Sequence, residues 1–196
     1  MIRVLVVDDH PAVRAGLLAV LRGEPGLVPV ATADSAEAAL EAACRWAPDV
    51  VLADYQLPDL DGAMLTWELK QLPEAPRVVI YSAFAEPRLS LAAALSGAEA
   101  VLDKNRSVDA IFEAIRGVAA GKSYVEPLPL EAVRDGGRFI DPQDQSIFGL
   151  ALAGEQAEEI AAVLRIDERA VRRRLRLMIQ WLGPGREGYG PFKAAS

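Results

Sequence analysis

The chain has 196 residues, 52% of them hydrophobic and 25% charged, and a formal net charge of −7, which suits a soluble globular protein of one or two domains. No apolar run approaches the ~20 residues of a membrane span. The opening MIRVLVVDDH has too short an apolar run for a signal peptide, and the lone Cys44 forms no internal disulfide and no metal cluster, so a cytoplasmic protein without membrane contact is expected.

Ile2 to Val7 (IRVLVV) reads as a strand that ends in Asp8 and Asp9. Pro11 opens a helix with Val13, Leu17, Val20 and Leu21 on one face, closed by Gly23 and Gly26. Leu27 to Ala33 is a second strand. Asp34 and Glu37 have the spacing of a capping box, and an alanine-rich helix runs on to Trp46 with Cys44 expected as a small core residue. Val50 to Ala53 is a short continuous apolar run, the signature of a strand buried on both faces, and it stops at Asp54. Leu57-Pro58-Asp59 and Asp61-Gly62 are turn material, so the chain leaves the sheet at once. Ala63 to Leu72 is a helix with Leu65, Leu69 and Leu72 inward. Arg77 to Tyr81 is a strand ending at Ser82, Pro87 to Leu95 a helix stopped by Gly97, and Ala98 to Leu102 a strand followed by Lys104. Ser107 caps a further helix in which Val108, Ile111, Ile115 and Val118 recur at helical spacing, with Gly121 at its end.

Strand and helix thus alternate five times in about 120 residues, which predicts an α/β fold with a parallel sheet and helices on both faces. Right-handed crossovers bring the carboxyl ends of parallel strands to one edge, where open α/β sheets place ligands. Asp8, Asp9, Asp54, Ser82 and Lys104 all lie just past a strand. Three carboxylates beside one another repel without a cation, and carboxylate and carbonyl oxygens suit a hard, six-coordinate Mg²⁺.

VLVVDDH, VVLADYQLPDLDG, VVIYSA and AVLDK resemble, in that order, the receiver domain of two-component response regulators, over residues 1–120. The resemblance implies a flavodoxin-like doubly wound parallel five-stranded sheet of order 2-1-3-4-5. It implies that Asp54 accepts a phosphoryl group from a sensor histidine kinase. It implies Mg²⁺ held directly by Asp9 and Asp54, by Asp8 mostly through water, and by the Gln56 carbonyl. Lys104 would then pair with one phosphate oxygen and Ser82 would donate a hydrogen bond to another. One position departs from the family pattern: Val101 stands where an aromatic switch residue is usual, three before the lysine, and valine is too short to make the same excursion. An aspartate-nucleophile phosphatase needs an acid two residues after its nucleophile. That position is Gln56, so an enzyme is not expected.

Residues 121–141 read as a linker, with a helical turn at Leu130 to Val133. Residues 142–183 form a second, smaller all-α domain, and 184–196, with glycine and proline recurring, a flexible tail. Gln143 to Ala153 is helical. Gln156 to Leu164 is a helix with Ile160, Val163 and Leu164 apolar, Arg165-Ile166-Asp167 is a tight turn, and Glu168 to Leu182 follows with Val171, Leu175, Met178 and Leu182 in one stripe. Arg169, Arg172, Arg173 and Arg176 fall largely on the other side. Two helices joined by a short turn, the second rich in arginine, describe a helix-turn-helix. EEIAAVLRIDERAVRRRLRLMIQWLG resembles the LuxR/NarL-type DNA-binding domain of response regulators, which implies that helix 168–182 enters the major groove of duplex DNA. The family generally adds a fourth helix used for dimerisation; here the glycine- and proline-rich tail stands in its place, so that homodimer contact is expected to be absent or reorganised. The reading is a DNA-binding regulator of transcription switched at Asp54. The alternative is an atypical, phosphorylation-independent receiver acting as an interaction or constitutive DNA-binding module, which Val101 favours.

Overall fold

The structure, a computed structural model, describes residues 1–83, 87–124, 133, 137 and 140–182. The helical turn expected at Leu130 to Val133 lies, but for Val133, outside these residues, and so does the tail 184–196. In chain order the elements are β1 (Ile2–Val7), α1 (Pro11–Gly23), β2 (Leu27–Ala33), α2 (Ala36–Trp46), β3 (Val50–Asp54), α3 (Gly62–Leu69), β4 (Arg77–Ser82), α4 (Pro87–Ser96), β5 (Ala100–Asp103) and α5 (Val108–Ala119). A 3-10 turn (Pro142–Asp144) then leads into α6 (Gln145–Leu152), α7 (Ala157–Leu164) and α8 (Glu168–Leu182).

The five strands form one parallel sheet in the order β2-β1-β3-β4-β5. β3 and most of β1 and β4 are buried on both faces, which is why their sequences are continuous apolar runs rather than alternating ones. β2 lies at an edge and carries Pro29 opposite Val4; the register slips by one residue just beyond, because proline has no N–H for the ladder. Ser107 caps α5, with its hydroxyl accepting from Ala110, as its position predicts.

Several local expectations are corrected. Asp34 does not cap α2. Ser35 is the N-cap, and Asp59, far along the chain, accepts from the amides of Ala36 and Glu37, each at 2.9 Å. Cys44 is exposed; Ala36, Ala39 and Ala43 take the inward face, and Cys44 lies ~100° around the helix from Ala43. α3 ends at Leu69, β5 begins at Ala100, and the helix expected from Gln143 starts at Gln145 after the 3-10 turn.

α4 is buried on almost every side, with Leu89, Leu91, Ala92, Ala93 and Leu95 inside. One flank lies on the sheet and the other meets α8 and α6. Val171, Leu175, Met178, Ile179 and Leu182 of α8 belong to the same continuous apolar cluster as α4 and α3. Each such side chain taken fully out of water contributes roughly 1.5–3 kcal/mol. The C-terminal helices therefore share a core with the sheet's outer helix layer.

Asp59 ties the β3–α3 loop to the start of α2. Partial burial pushes its carboxyl up, but the amides of Ala36, Glu37 and Leu60 outweigh this and hold it below the usual aspartate range. A carboxyl depressed in the folded state stabilises above its unfolded pKa, and that contribution is lost as pH falls through the folded value. Asp59→Ala should therefore lower stability at pH 7, and the gap to wild type should close on acidification below about pH 4. Urea unfolding across that pH range measures it, and a gap independent of pH would contradict the capping role.

Candidate functional site

Asp8 follows β1, Asp54 closes β3, Ser82 closes β4 and Lys104 follows β5, so the strand order alone brings all four to the carboxyl edge of the sheet. Asp8, Asp54 and Ser82 are buried. Lys104 places its ammonium 2.8 Å from Asp8 Oδ2 and 2.8 Å from Asp54 Oδ2. Its backbone N–H donates to the Ser82 carbonyl at 2.7 Å, which fixes where the chain turns after β5.

Two carboxylates and an ammonium in a half-dry site act on one another strongly. Burial pushes Asp54 above its ordinary value; Lys104 opposes this, and the charge of Asp8 adds to it. Burial alone would lower Lys104, but its bonds to Asp54 and Asp8 prevail and raise it. One lysine thus leaves the acid pair undercompensated.

Asp9 is exposed, and its carboxylate lies 2.6 Å from His10 Nδ1. Asp8, Asp9, His10 and Asp54 each present a ligand atom within 4.8 Å of the others. The oxygen-dominated donor set fits a hard divalent cation such as Mg²⁺. His10 is the member that sequence reasoning missed, although it adjoins Asp9 in the same motif. Gln56 is exposed, and its backbone N–H donates to Asp54 Oδ1 at 3.3 Å. Val101 is half-buried against the apolar cluster that includes α3 and α4.

Gly62 is a second missed residue. Its amide donates to the Tyr55 carbonyl at 2.7 Å, folding the loop back onto the end of β3. A Cβ there would stand 2.6 Å from the Asp54 carbonyl oxygen and 2.9 Å from Tyr55 Cα. Both obstacles are backbone, so only glycine permits this approach. The sequence signal, Asp-Gly after a strand, points to a turn and says nothing of the clearance.

The four candidate arginines divide. Arg169 and Arg173 are exposed. Arg172 bonds to Glu168 at 2.7 Å and reaches Gln71 beyond α3, while Arg176 lies 3.1 Å from Glu68 of α3. Arg174, which was not singled out, pairs with Asp144 at 2.8 Å within the C-terminal helices.

A five-stranded parallel sheet of order 2-1-3-4-5, with acids and a lysine gathered at its carboxyl edge, defines a flavodoxin-like receiver. Residues 4–116 match the model of the response regulator receiver domain, and the chain belongs to that family. The chain is 35% identical over 171 residues to the transcriptional regulatory protein MctR of Rhizobium johnstonii, a match spanning 84% of this chain and 79% of MctR. It is 33% identical over 177 residues to the probable transcriptional regulatory protein NarL of Mycobacterium tuberculosis, spanning 89% of this chain and 73% of the relative. A LuxR-family two-component response regulator from Aurantimonas superposes with a TM-score of 0.62 at 28% identity, covering 69% of this chain and 96% of the other.

The Gly62 clearance yields an expected outcome. Gly62→Ala should destabilise the protein by about 1–3 kcal/mol, the usual cost of an inserted methyl that meets unyielding atoms. The backbone resonances of Asp54 and Tyr55 should move by NMR. A variant as stable as wild type, with those resonances unmoved, would show that the loop yields instead.

Proposed function

We propose that this chain is a DNA-binding regulator of transcription switched by phosphoryl transfer to Asp54 from a sensor histidine kinase. The observation that carries the reading is the Lys104 ammonium, 2.8 Å from both Asp8 and Asp54 at the carboxyl edge of the sheet. An Asp54 carboxylate oxygen attacks the phosphorus of the kinase's phosphohistidine. A P–O bond forms, the P–N bond breaks, and the imidazole leaves with the bonding pair and takes up a proton. The product is an aspartyl phosphate. Lys104 turns from Asp54 to a phosphoryl oxygen as a point charge, and the Ser82 hydroxyl donates to another. Mg²⁺, when bound, supplies neutralisation of the phosphoryl charge; the carboxylates of Asp8, Asp9 and Asp54 and the Gln56 carbonyl would hold it.

Residues 1–120 act as the receiver, 121–141 as the linker and 142–183 as the DNA-binding unit, in which α8 reads the groove. The names of MctR and NarL as transcriptional regulatory proteins support this assignment. In the described arrangement Arg172 and Arg176, both still partly exposed, engage Gln71 and Glu68, so one flank of α8 borders the receiver. Binding DNA along that flank requires these contacts to break. The β4–α4 connection runs from Ser82 to the helix that α8 packs on, which offers a route that does not depend on an aromatic at position 101. Among the described residues no helix is long and apolar enough to cross a membrane. Val101 favours a second reading, a receiver whose DNA binding ignores phosphorylation. DNA binding measured with and without a phosphodonor separates the two.

Two outcomes are expected. Asp54→Asn should abolish phosphoryl incorporation from acetyl phosphate and Mg²⁺, and incorporation at the wild-type level would sink the assignment. The double variant Arg172→Ala, Arg173→Ala should weaken binding to every duplex and flatten its salt dependence if both side chains hold phosphates. If one reads a guanine, its single variant should relax preference at one base by ~1–3 kcal/mol. Full affinity and full preference in the double variant would mean that another surface meets DNA.

A further inference from the structure

Tyr81 stands one residue before Ser82 on β4, directly between the strand that ends in Asp54 and the strand that leads to Lys104. In the ladders it pairs with Asp54 on one side and Leu102 on the other. Its carbonyl accepts from the Tyr55 amide at 3.3 Å. Its side chain turns to the α5 side of the sheet, among Val79, Phe112 and Ile115, and is only 9% exposed. From there it touches both ends of one residue. The phenol donates to the Lys104 carbonyl at 3.2 Å, and the Lys104 ammonium lies 5.6 Å from the ring centroid.

We infer that Tyr81 is the positioning residue for Lys104, an inference that rests on the phosphoacceptor reading of Asp54. A lysine stem has four rotatable carbons, and its charge is useful at the sheet edge only if both stem and anchor are held. The phenol bond fixes the anchor at the backbone. The ring face then offers the ammonium a contact that is attractive without being directional. The ammonium can pass from the Asp54 carboxylate to the oxygens of an arriving phosphoryl group without leaving the ring. A hydrogen-bonding partner in the same place would have to be broken. Burial also raises the phenol above its ordinary pKa, so it remains a donor.

Val101 cannot do this work. It pairs with Ile80 and packs on the α3–α4 side, the opposite face of the sheet. The aromatic at this edge therefore serves the lysine from below, where the family's usual switch residue would serve the α4 side.

The test uses the full chain, with acetyl phosphate and Mg²⁺ as phosphodonor, in wild type, Tyr81→Phe, Tyr81→Leu and Lys104→Ala. The rate of incorporation is resolved into its maximum and its dependence on donor concentration, and the Lys104 side-chain nitrogen is followed by NMR. Tyr81→Leu is expected to lower the maximal rate about tenfold with little change in the donor concentration at half-maximum, and to shift the Lys104 resonance. Tyr81→Phe keeps the ring and loses the anchor, so it should fall between Tyr81→Leu and wild type on both readouts. A Tyr81→Leu protein with wild-type rate and an unshifted Lys104, beside a slow Lys104→Ala, would overturn the inference. If Tyr81→Leu fails to fold, Tyr81→Phe decides alone: a shifted Lys104 resonance supports the inference and an unshifted one overturns it. A wild type that takes up no phosphoryl group would remove the phosphoacceptor reading, and the Lys104 resonances would still decide whether Tyr81 holds the lysine.

Discussion

The carboxyl edge of the sheet depends on one ammonium group shared by two buried carboxylates. Asp8 and Asp54 sit where water is largely excluded, and two like charges at that distance raise each other's cost. Lys104 bonds to both at 2.8 Å and makes the pair tolerable without neutralising it. The rest of the receiver can be read as the means of bringing these groups together. β1 and β3 must be neighbours for the acids to meet, and β4 must separate β3 from β5 by one strand for the lysine to reach across. Taking away Lys104 would leave two buried carboxylates uncompensated, so the edge tolerates loss of the lysine poorly. The residual negative charge is also what makes it attractive to a divalent cation.

A second constraint lies on the outer layer. Helices over a sheet usually keep one face in water, yet α4 has little free surface, because α8 and α6 cover its outer flank. The stripe of α8 that faces inward is part of the receiver's apolar cluster, and its arginines next to that stripe reach Glu68 and Gln71. Ion pairs at this exposure contribute little, ~1 kcal/mol or less, and are screened by salt. The apolar seam therefore holds the two parts together, and the charged contacts set how they are registered. Ser82 closes the strand that precedes α4 in the chain, and α4 is the element that α8 rests on.

The sheet was legible because strands buried on both faces must be written as unbroken apolar runs, and each run here is bounded by turn residues. The edge residues were legible as polar residues placed just after such runs. What escaped sequence reading was non-local or depended on clearance. Asp59 caps α2 from 22 and 23 residues away, so local spacing pointed to Asp34 instead. Cys44 sits among alanines that are each small enough to be inside or outside, and only the helix phase separates them. Gly62 looked like an ordinary turn glycine because the atoms it must avoid belong to another segment. Tyr81 looked like a strand residue, since its partner Lys104 is 23 positions on. The sharing of α4 left a trace that could have been read: PRLSLAAALS carries a single charge, too few for a helix with one wet face.

The shared flank of α4 also decides what a break in the chain between the two parts would expose. A single cut between residues 124 and 140 would leave the two parts associated through the apolar seam and the Arg172 and Arg176 contacts. Once they part, each carries a bare hydrophobic surface that a folded monomer does not normally display.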